Sequence, residues 1–475
     1  MFYRNWLAVL AAFIFISGCM QTAKISREKI DSGLKLPSDF TLSGTAENSD
    51  GKWWEVFQAE ELNSLMGRMI ANNNQILGSY EGLRALQAVL NISEADKMPS
   101  VTAGASAGEK YSTDTRGERE WNDSYEISLT ASYEVDIWGR IKAGAESDRM
   151  SLLSSRYDLE SLHMSLTAEL AERYFIYKSL GTVLRIQREM LLIRQQQLDT
   201  IKMMYSAGVG NLDTIYVKQT AIADLTESIT ETIESMKNAK YQIAKLIGEP
   251  DVSKLNISDN YELRVPVLPS VIPSEIAEKR PDIRAAYSNV LKVNSDLAEA
   301  MANRYPKLSF SASAAYSGAD LDRLFTIDNF ILNLVANLTA PIFDAGKLKN
   351  KQKQQEFLLK KEIYDYYDTV LSALNEVRVS LNDNIQNEKA LELNHEKVSI
   401  EEKRLKVADM KYEMGIEDYS GVLDYKIALL SAWVSEVNSK RALISSRIEL
   451  ARVAGGSWAG DVVKAGLSKD LQEKK

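Results

Sequence analysis

Asp136-Ile137-Trp138-Gly139-Arg140 and Phe343-Asp344-Ala345-Gly346-Lys347 are the two stretches that decide the fold. Their glycines stand 207 residues apart, and the same offset separates Pro99 from Pro306 and Gly208 from Gly415. The text around each anchor agrees. Met98-Pro99-Ser100-Val101 echoes Tyr305-Pro306-Lys307-Leu308, and Tyr205-Ser206-Ala207-Gly208-Val209 echoes Tyr412-Glu413-Met414-Gly415-Ile416. A register held across three anchors points to a duplicated unit that fills most of the chain.

Prolines punctuate the duplication. None lies between Pro99 and Pro250 and none after Pro341, so two long stretches are free to be helical. Pro250 to Pro281 reads as the linker between the repeats. From Ile141 to Tyr205 the spacing Leu170, Tyr177, Leu184, Leu191, Leu198, Tyr205 has the seven-residue period of a coiled coil. A second series, Ile215, Ile222, Ile229, Met236, Ile243, follows Gly208-Val209-Gly210-Asn211, which reads as a helix stop and turn. The long arm spans roughly 98 Å and the return helix, Leu212 to Ile247, roughly 54 Å. A helix from Asn74 to Lys97 adds roughly 36 Å, so two short helices stacked end to end match one long helix. The second repeat has the same parts: Pro281 to Asn303, Leu348 to Tyr412 and Tyr419 to Val453.

Between each proline anchor and its glycine anchor the period changes to two. Tyr125, Ile127, Leu129, Ala131, Tyr133 and Val135 alternate with Glu126, Ser128, Thr130, Ser132 and Glu134. That stretch is long enough for a membrane-crossing strand, which needs about 9–11 residues. Val101 to Gly108, Leu308 to Ala314 and Phe330 to Leu338 supply three weaker strands, the last with Ile331 and Val335 on its otherwise polar face. Lys110 to Trp121 and Ser317 to Asp328 are polar and read as loops in water. Four strands cannot close in lipid, where every backbone group must be paired. Copies of the chain must pool strands: eight from two chains, twelve from three.

The N-terminus reads as a secretion signal. Arg4 precedes an apolar run from Trp6 to Ile16, too short to span a bilayer, and then Ser17-Gly18-Cys19. A small-small-Cys ending resembles a bacterial lipobox, with cleavage before Cys19 and a lipid on it. Cys19 is the sole cysteine, so no intramolecular disulfide can form. The net charge of −9 argues against nucleic acid as a partner. No catalytic constellation, metal-ligand spacing or phosphate loop is present. His163 and His395 lie on separate helices and read as surface residues, and Met203-Met204 reads as packing.

Further marks are Trp53-Trp54 with Phe57 and Leu62, Tyr133 to Arg140, Leu246-Ile247-Gly248-Glu249-Pro250, Arg280-Pro281-Asp282-Ile283-Arg284-Ala285-Ala286, and Gly455-Gly456-Ser457-Trp458. In this order, on a 207-residue repeat, the chain resembles the TolC-type outer-membrane efflux proteins, in the lipoprotein branch that includes OprM and NodT. The resemblance covers about residues 53–458. Ala345 stands where the family often has a glycine, and Ile247 where alanine is common.

The resemblance implies an α+β membrane protein of two internal repeats. Long coiled-coil-like helical hairpins would form a periplasmic α-barrel, and four strands per chain would give a twelve-stranded transmembrane β-barrel in a homotrimer. The expected divisions are a signal peptide over 1–18, a lipidated arm and equatorial segment over 19–72, repeat 1 over 73–250, an equatorial linker over 251–279, repeat 2 over 280–455 and a tail over 456–475. The implied function is a passive outer-membrane conduit of a tripartite efflux or secretion system. Its implied partners are a periplasmic adaptor, an inner-membrane pump and outer-membrane lipid. No cofactor is expected beyond the lipid on Cys19.

The resemblance also implies that the turns Gly208, Val209, Gly210 and Gly415, Ile416 lie at the periplasmic end, where the adaptor docks. Tyr412 and Asp424 match family residues of the closed entrance. Glu417 stands where some members carry a basic gate residue, and Gly421 where some carry a second aspartate, so a gate without the usual salt bridge is expected. Three copies of Asp424 converging on one axis would bind cations and repel one another. The competing reading is a periplasmic coiled-coil adaptor or scaffold lipoprotein; the duplicated hairpins and the Tyr125 to Val135 strand oppose it.

Overall fold

The computed structural model describes residues 52–113, 119–258, 263–265, 280–454 and 463. Cys19, the signal segment and Gly455 to Trp458 lie outside these. Among the described residues, seven α-helices and four strands follow the repeat. They are α1 (Glu60–Asn72), α2 (Asn74–Ala95), β1 (Ser100–Thr113), β2 (Arg119–Val135), α3 (Arg140–Ser206), α4 (Leu212–Leu246), α5 (Pro281–Ala302), β3 (Lys307–Gly318), β4 (Phe330–Thr339), α6 (Lys347–Glu413) and α7 (Tyr419–Val453). The two longest helices, α3 and α6, each have 67 residues. Among the described residues no helix is long and apolar enough to cross a membrane.

Two compact units cut across the repeats. One combines the described residues within 82–156 and 285–368, and the other those within 52–81, 157–284 and 369–463. Each repeat therefore contributes half of itself to each unit.

The first unit holds an antiparallel sheet in the order β1-β2-β3-β4. Its register is unbroken, so facing residues fall into rows. Ala105, Ile127, Tyr316 and Phe330 share a row, as do Ala103, Leu129, Ala314 and Leu332, and Val101, Ala131, Ala312 and Leu334. One face is apolar on all four strands. The other carries Thr102, Thr130, Ser128, Ser311, Ser313, Asn333 and Asn337, with Val335 and Ile331 among them. Most large side chains of the apolar face are exposed, Leu334 at 76%. The first hairpin is longer than its composition suggested. Thr113 pairs with Arg119, so most of the stretch expected as a loop from Lys110 to Trp121 is strand, because the backbone ladder continues whatever the side chains.

At the base of this sheet the two anchor motifs meet. The Trp138 indole N–H donates to the Pro306 carbonyl at 2.8 Å and its ring stacks on Tyr305 at 4.8 Å. Each following helix is capped by the aspartate before its glycine. Asp136 accepts from the Ile141 and Lys142 N–H groups, and Asp344 from those of Gly346 and Leu348. Ala345, standing where a glycine is usual, holds a left-handed φ of 52°.

The second unit explains the remaining motifs. Trp54, Phe57 and Leu62 are buried, with Phe57 4.7 Å from the Phe175 ring on α3. The short helices do meet end to end. The Asn73 side chain caps α2 by accepting from the Gln75 and Ile76 N–H groups, and its amide donates to the Leu246 carbonyl at the end of α4, at 2.8 Å. At the matching positions of the second repeat, Arg280 donates to the Val453 carbonyl at the end of α7, at 3.3 Å. Arg280 is also held by Asp282 at 2.7 Å and Glu376 at 2.9 Å, which accounts for Arg280-Pro281-Asp282. Gly248 has φ 68°, and a β-carbon there would stand 2.5 Å from the Asn72 carbonyl oxygen. Only glycine fits that junction.

His163 is not on the surface. It is fully buried on α3, its ring 6.2 Å from that of Tyr80, and neither ring nitrogen has a hydrogen-bonding partner among the described residues. Burial lowers its pKa from 6.5 to about 4.

Candidate functional site

The helical turns are built twice. At the end of α3 the Gly208 N–H donates to the Tyr205 carbonyl at 3.0 Å, and the Val209 N–H to that of Met204 at 2.9 Å. At the end of α6, Gly415 donates to Tyr412 and Ile416 to Lys411, both at 2.9 Å. This paired bonding is a Schellman cap, and it needs the left-handed residue that Gly208 (φ 80°) and Gly415 (φ 71°) supply. The next helix begins four residues after each glycine. Asn211 accepts from the Thr214 N–H at 2.9 Å, and Asp418 from the Gly421 N–H at 2.6 Å. Gly210 also has a positive φ, 107°, where the second turn carries Glu417. The caps leave apolar tips outward: Val209 is 56% exposed and Ile416 70%.

Above the turns, three helices lie against one another. Ile186, Met190 and Ile193 of α3 pack with Leu225 and Ile229 of α4 and with Leu423, Ile427 and Leu430 of α7. The buried stripe on α3 is thus Val183, Ile186, Met190, Ile193 and Gln197, one residue before the expected Leu184, Leu191 and Leu198, which are half-buried at its flank. Both series keep a seven-residue period, so periodicity alone does not choose between them; the third helix does.

At the end of this stripe sits Asp424. Its Oδ1 accepts from the Gln197 side-chain amide at 2.7 Å and lies 3.3 Å from the Lys218 Nζ. The same Gln197 amide reaches the Ser420 carbonyl at 3.2 Å, and its own oxygen accepts from Lys218 at 3.3 Å. Gln197 is buried, Lys218 half-buried and Asp424 largely exposed. One polar knot therefore ties α3, α4 and α7 together. Asp424 thus has a cation from the first repeat, Lys218, and not from the second turn, where Glu417 stands at the expected basic position. The sequence held the signal, since Lys218 lies three residues after Ile215 and four before Ile222, on the apolar seam.

Tyr412 is not part of that knot. Its ring packs 5.4 Å from Tyr419 across the second turn. Glu417 folds its carboxylate over Gly421, whose added β-carbon would meet Oε1 at 2.3 Å. The missing side chain at Gly421 is what leaves Glu417 this space. Among the described residues no group of three or more His, Cys, Asp or Glu is placed to hold a metal ion.

Comparison with known proteins bears on the whole chain. The pyoverdine export outer membrane protein OpmQ of Pseudomonas aeruginosa is 28% identical over 98% of both chains. The probable outer membrane lipoprotein SilC of Salmonella typhimurium is 24% identical over 96% of this chain and all of its own. Among solved structures, the Campylobacter jejuni CmeC outer membrane channel superposes with a TM-score of 0.81 at 19% identity, covering 92% of this chain and 93% of that one. The adaptor or scaffold reading falls with the family match that follows. Residues 65–249 and 272–456, both repeats, match the outer membrane efflux protein family, and the chain belongs to it.

Proposed function

We propose that this outer-membrane efflux protein works as a homotrimer whose twelve strands close one barrel, and that it is opened from its helical tips. The observation that carries the reading is the sheet. Four strands present one continuous apolar face, and β1 and β4 are its two edges. In lipid such edges must be paired, and only further copies supply matching ones. A lipid on Cys19 adds an anchor at the membrane surface, in keeping with a lipobox after a short apolar run.

The tips Gly208, Val209, Gly210, Gly415 and Ile416 dock a periplasmic adaptor, which links the channel to an inner-membrane pump. Two rigid Schellman turns that hold Val209 and Ile416 outward suit an apolar protein partner. Asp424 is the constriction residue, held by Gln197 and Lys218 in the closed state, with Tyr412 and Glu417 shaping the second turn beside it. Opening moves α7 and α6 away from α3 and α4 and breaks the knot. The channel itself does no covalent chemistry; it offers a path, and the partners supply the work.

Two measurements test this. Detergent-extracted protein runs as a heat-sensitive trimer, and a monomer that stays folded without detergent overturns the assembly. In planar bilayers Asp424→Ala raises conductance or abolishes block by divalent cations. Unchanged conductance and block remove Asp424 from the gate while leaving the trimer standing.

A further inference from the structure

The segment between β3 and β4, expected as a polar loop in water, is built otherwise. Two 3-10 turns, Leu321–Arg323 and Ile327–Asn329, fold it compactly. The Asn329 amide donates to the Arg323 carbonyl at 2.9 Å, and Leu324 is buried beneath. Three large apolar side chains are left outside: Leu321 at 61% exposure, Phe325 at 66% and Ile327 at 78%.

Ring contacts show over which face this segment leans. Phe325 lies 5.6 Å from Tyr316, which lies 5.3 Å from Phe330. Tyr316 and Phe330 are partners in the register, and alternation puts Tyr316 on the face of Leu308, Phe310, Ala312 and Ala314. That is the apolar face. Two rows further out on the same face, Glu109 stands opposite Asp123. Facing carboxylates do not sit in hydrocarbon, so the hydrocarbon ends between them and the Tyr316–Phe330 row. The eight steps from Leu308 to Tyr316 cover roughly 27 Å along the strand. At a tilt of roughly 35–45° they cover roughly 19–22 Å of membrane, less than the roughly 25 Å apolar band of such barrels. Beyond that row the face holds only Ala107, Tyr125 and Gly318 before the carboxylates, and Phe325 adds its ring beside Tyr316 at this outer end.

We propose that Leu321, Phe325 and Ile327 insert into the outer leaflet at the boundary of acyl chains and headgroups. Each protomer would thereby anchor its second hairpin from the outside. The occupant is lipid because Phe325 joins the segment to the lipid-facing side of the sheet at Tyr316. The segment also carries Asp320, Asp322, Arg323 and Asp328, an apolar and charged mixture that suits an interface rather than a span. The inference rests on the barrel reading above, whose own failure would show as loss of trimer and conductance in the same sample.

The test places a nitroxide on full-length Phe325→Cys and Ile327→Cys, with Asp123→Cys as the water reference, in vesicles of phosphatidylethanolamine and lipopolysaccharide. Unsubstituted protein, whose sole cysteine is Cys19, is the labelling blank. Oxygen should relax the labels at 325 and 327 several-fold more than a nickel chelate does, with the order reversed at 123. Labels at 325 and 327 that respond mainly to the chelate place the segment in water and overturn the proposal. Labels reached by neither reagent place it under a neighbouring protomer and overturn it equally.

Discussion

Ala345 sits at φ 52°, a conformation that costs an alanine roughly 1 kcal/mol relative to glycine. The Asp344 cap and the glycine after it hold the turn in place regardless. Ala345→Gly removes that strain but loosens the unfolded chain, and the first effect is the larger. It should stabilise the protein by about 0.5 kcal/mol, read as a small rise in the midpoint of thermal unfolding in detergent. His163 poses a different problem. Its buried ring stays neutral because burial lowers its pKa to about 4, against 6.5 when exposed. The unfolded chain therefore takes up a proton that the folded one refuses. Stability is full above pH 6.5, falls as the pH drops towards 4, and loses up to about 3 kcal/mol there. His163→Leu should flatten that part of the stability-against-pH curve; an unchanged slope between pH 6.5 and 4 would show that other groups set it.

Elements are tied by few contacts whose strengths differ. The Lys218–Asp424 pair has an exposed carboxylate, so its worth is about 0.5 kcal/mol. The Gln197 amide is buried and bonds a charged group, worth about 2 kcal/mol. Gln197→Leu should therefore loosen α7 from α3 more than Lys218→Met does. If the knot breaks on opening, Gln197→Leu shifts the closed-to-open balance roughly 30-fold and Lys218→Met only about twofold. Open probability in planar bilayers measures both; equal effects would make the ion pair the true tie. The stacked junctions show a second economy. Asn73 joins α2 to α4 and Arg280 joins α5 to α7 at matching positions of the repeats, yet with unlike side chains. What the duplication preserved is a donor aimed at the last carbonyl of a helix, not a residue type.

For the whole molecule, solvent decides what the sheet means. In water the exposed row containing Leu334 would be a liability for aggregation. In lipid it is the solvated side. Leu334→Arg, near the middle of β4, should then cost about 2–4 kcal/mol and impair assembly into vesicles, while Ser313→Lys on the opposite face should assemble normally. Equal tolerance of both would mean that the apolar face does not meet lipid.

Sequence by itself determined the duplication, the long helices, the strand faces and both tip turns. These rest on local chemistry: a period of seven or two, proline spacing, and glycines where a left-handed residue must stand. Asp424 was legible only through family resemblance; Lys218 showed as a charge on the apolar seam, but that it meets Asp424 was not legible, because the two are 206 residues apart in the chain. Tertiary structure alone decided which of two adjacent stripes on α3 is buried, since that depends on α7 arriving as a third helix. It also moved His163 from surface to core, extended the first hairpin beyond its apolar residues, and turned Phe325 onto the apolar face. In each case the outcome depends on what packs alongside, and a pattern along one element carries no record of its neighbours.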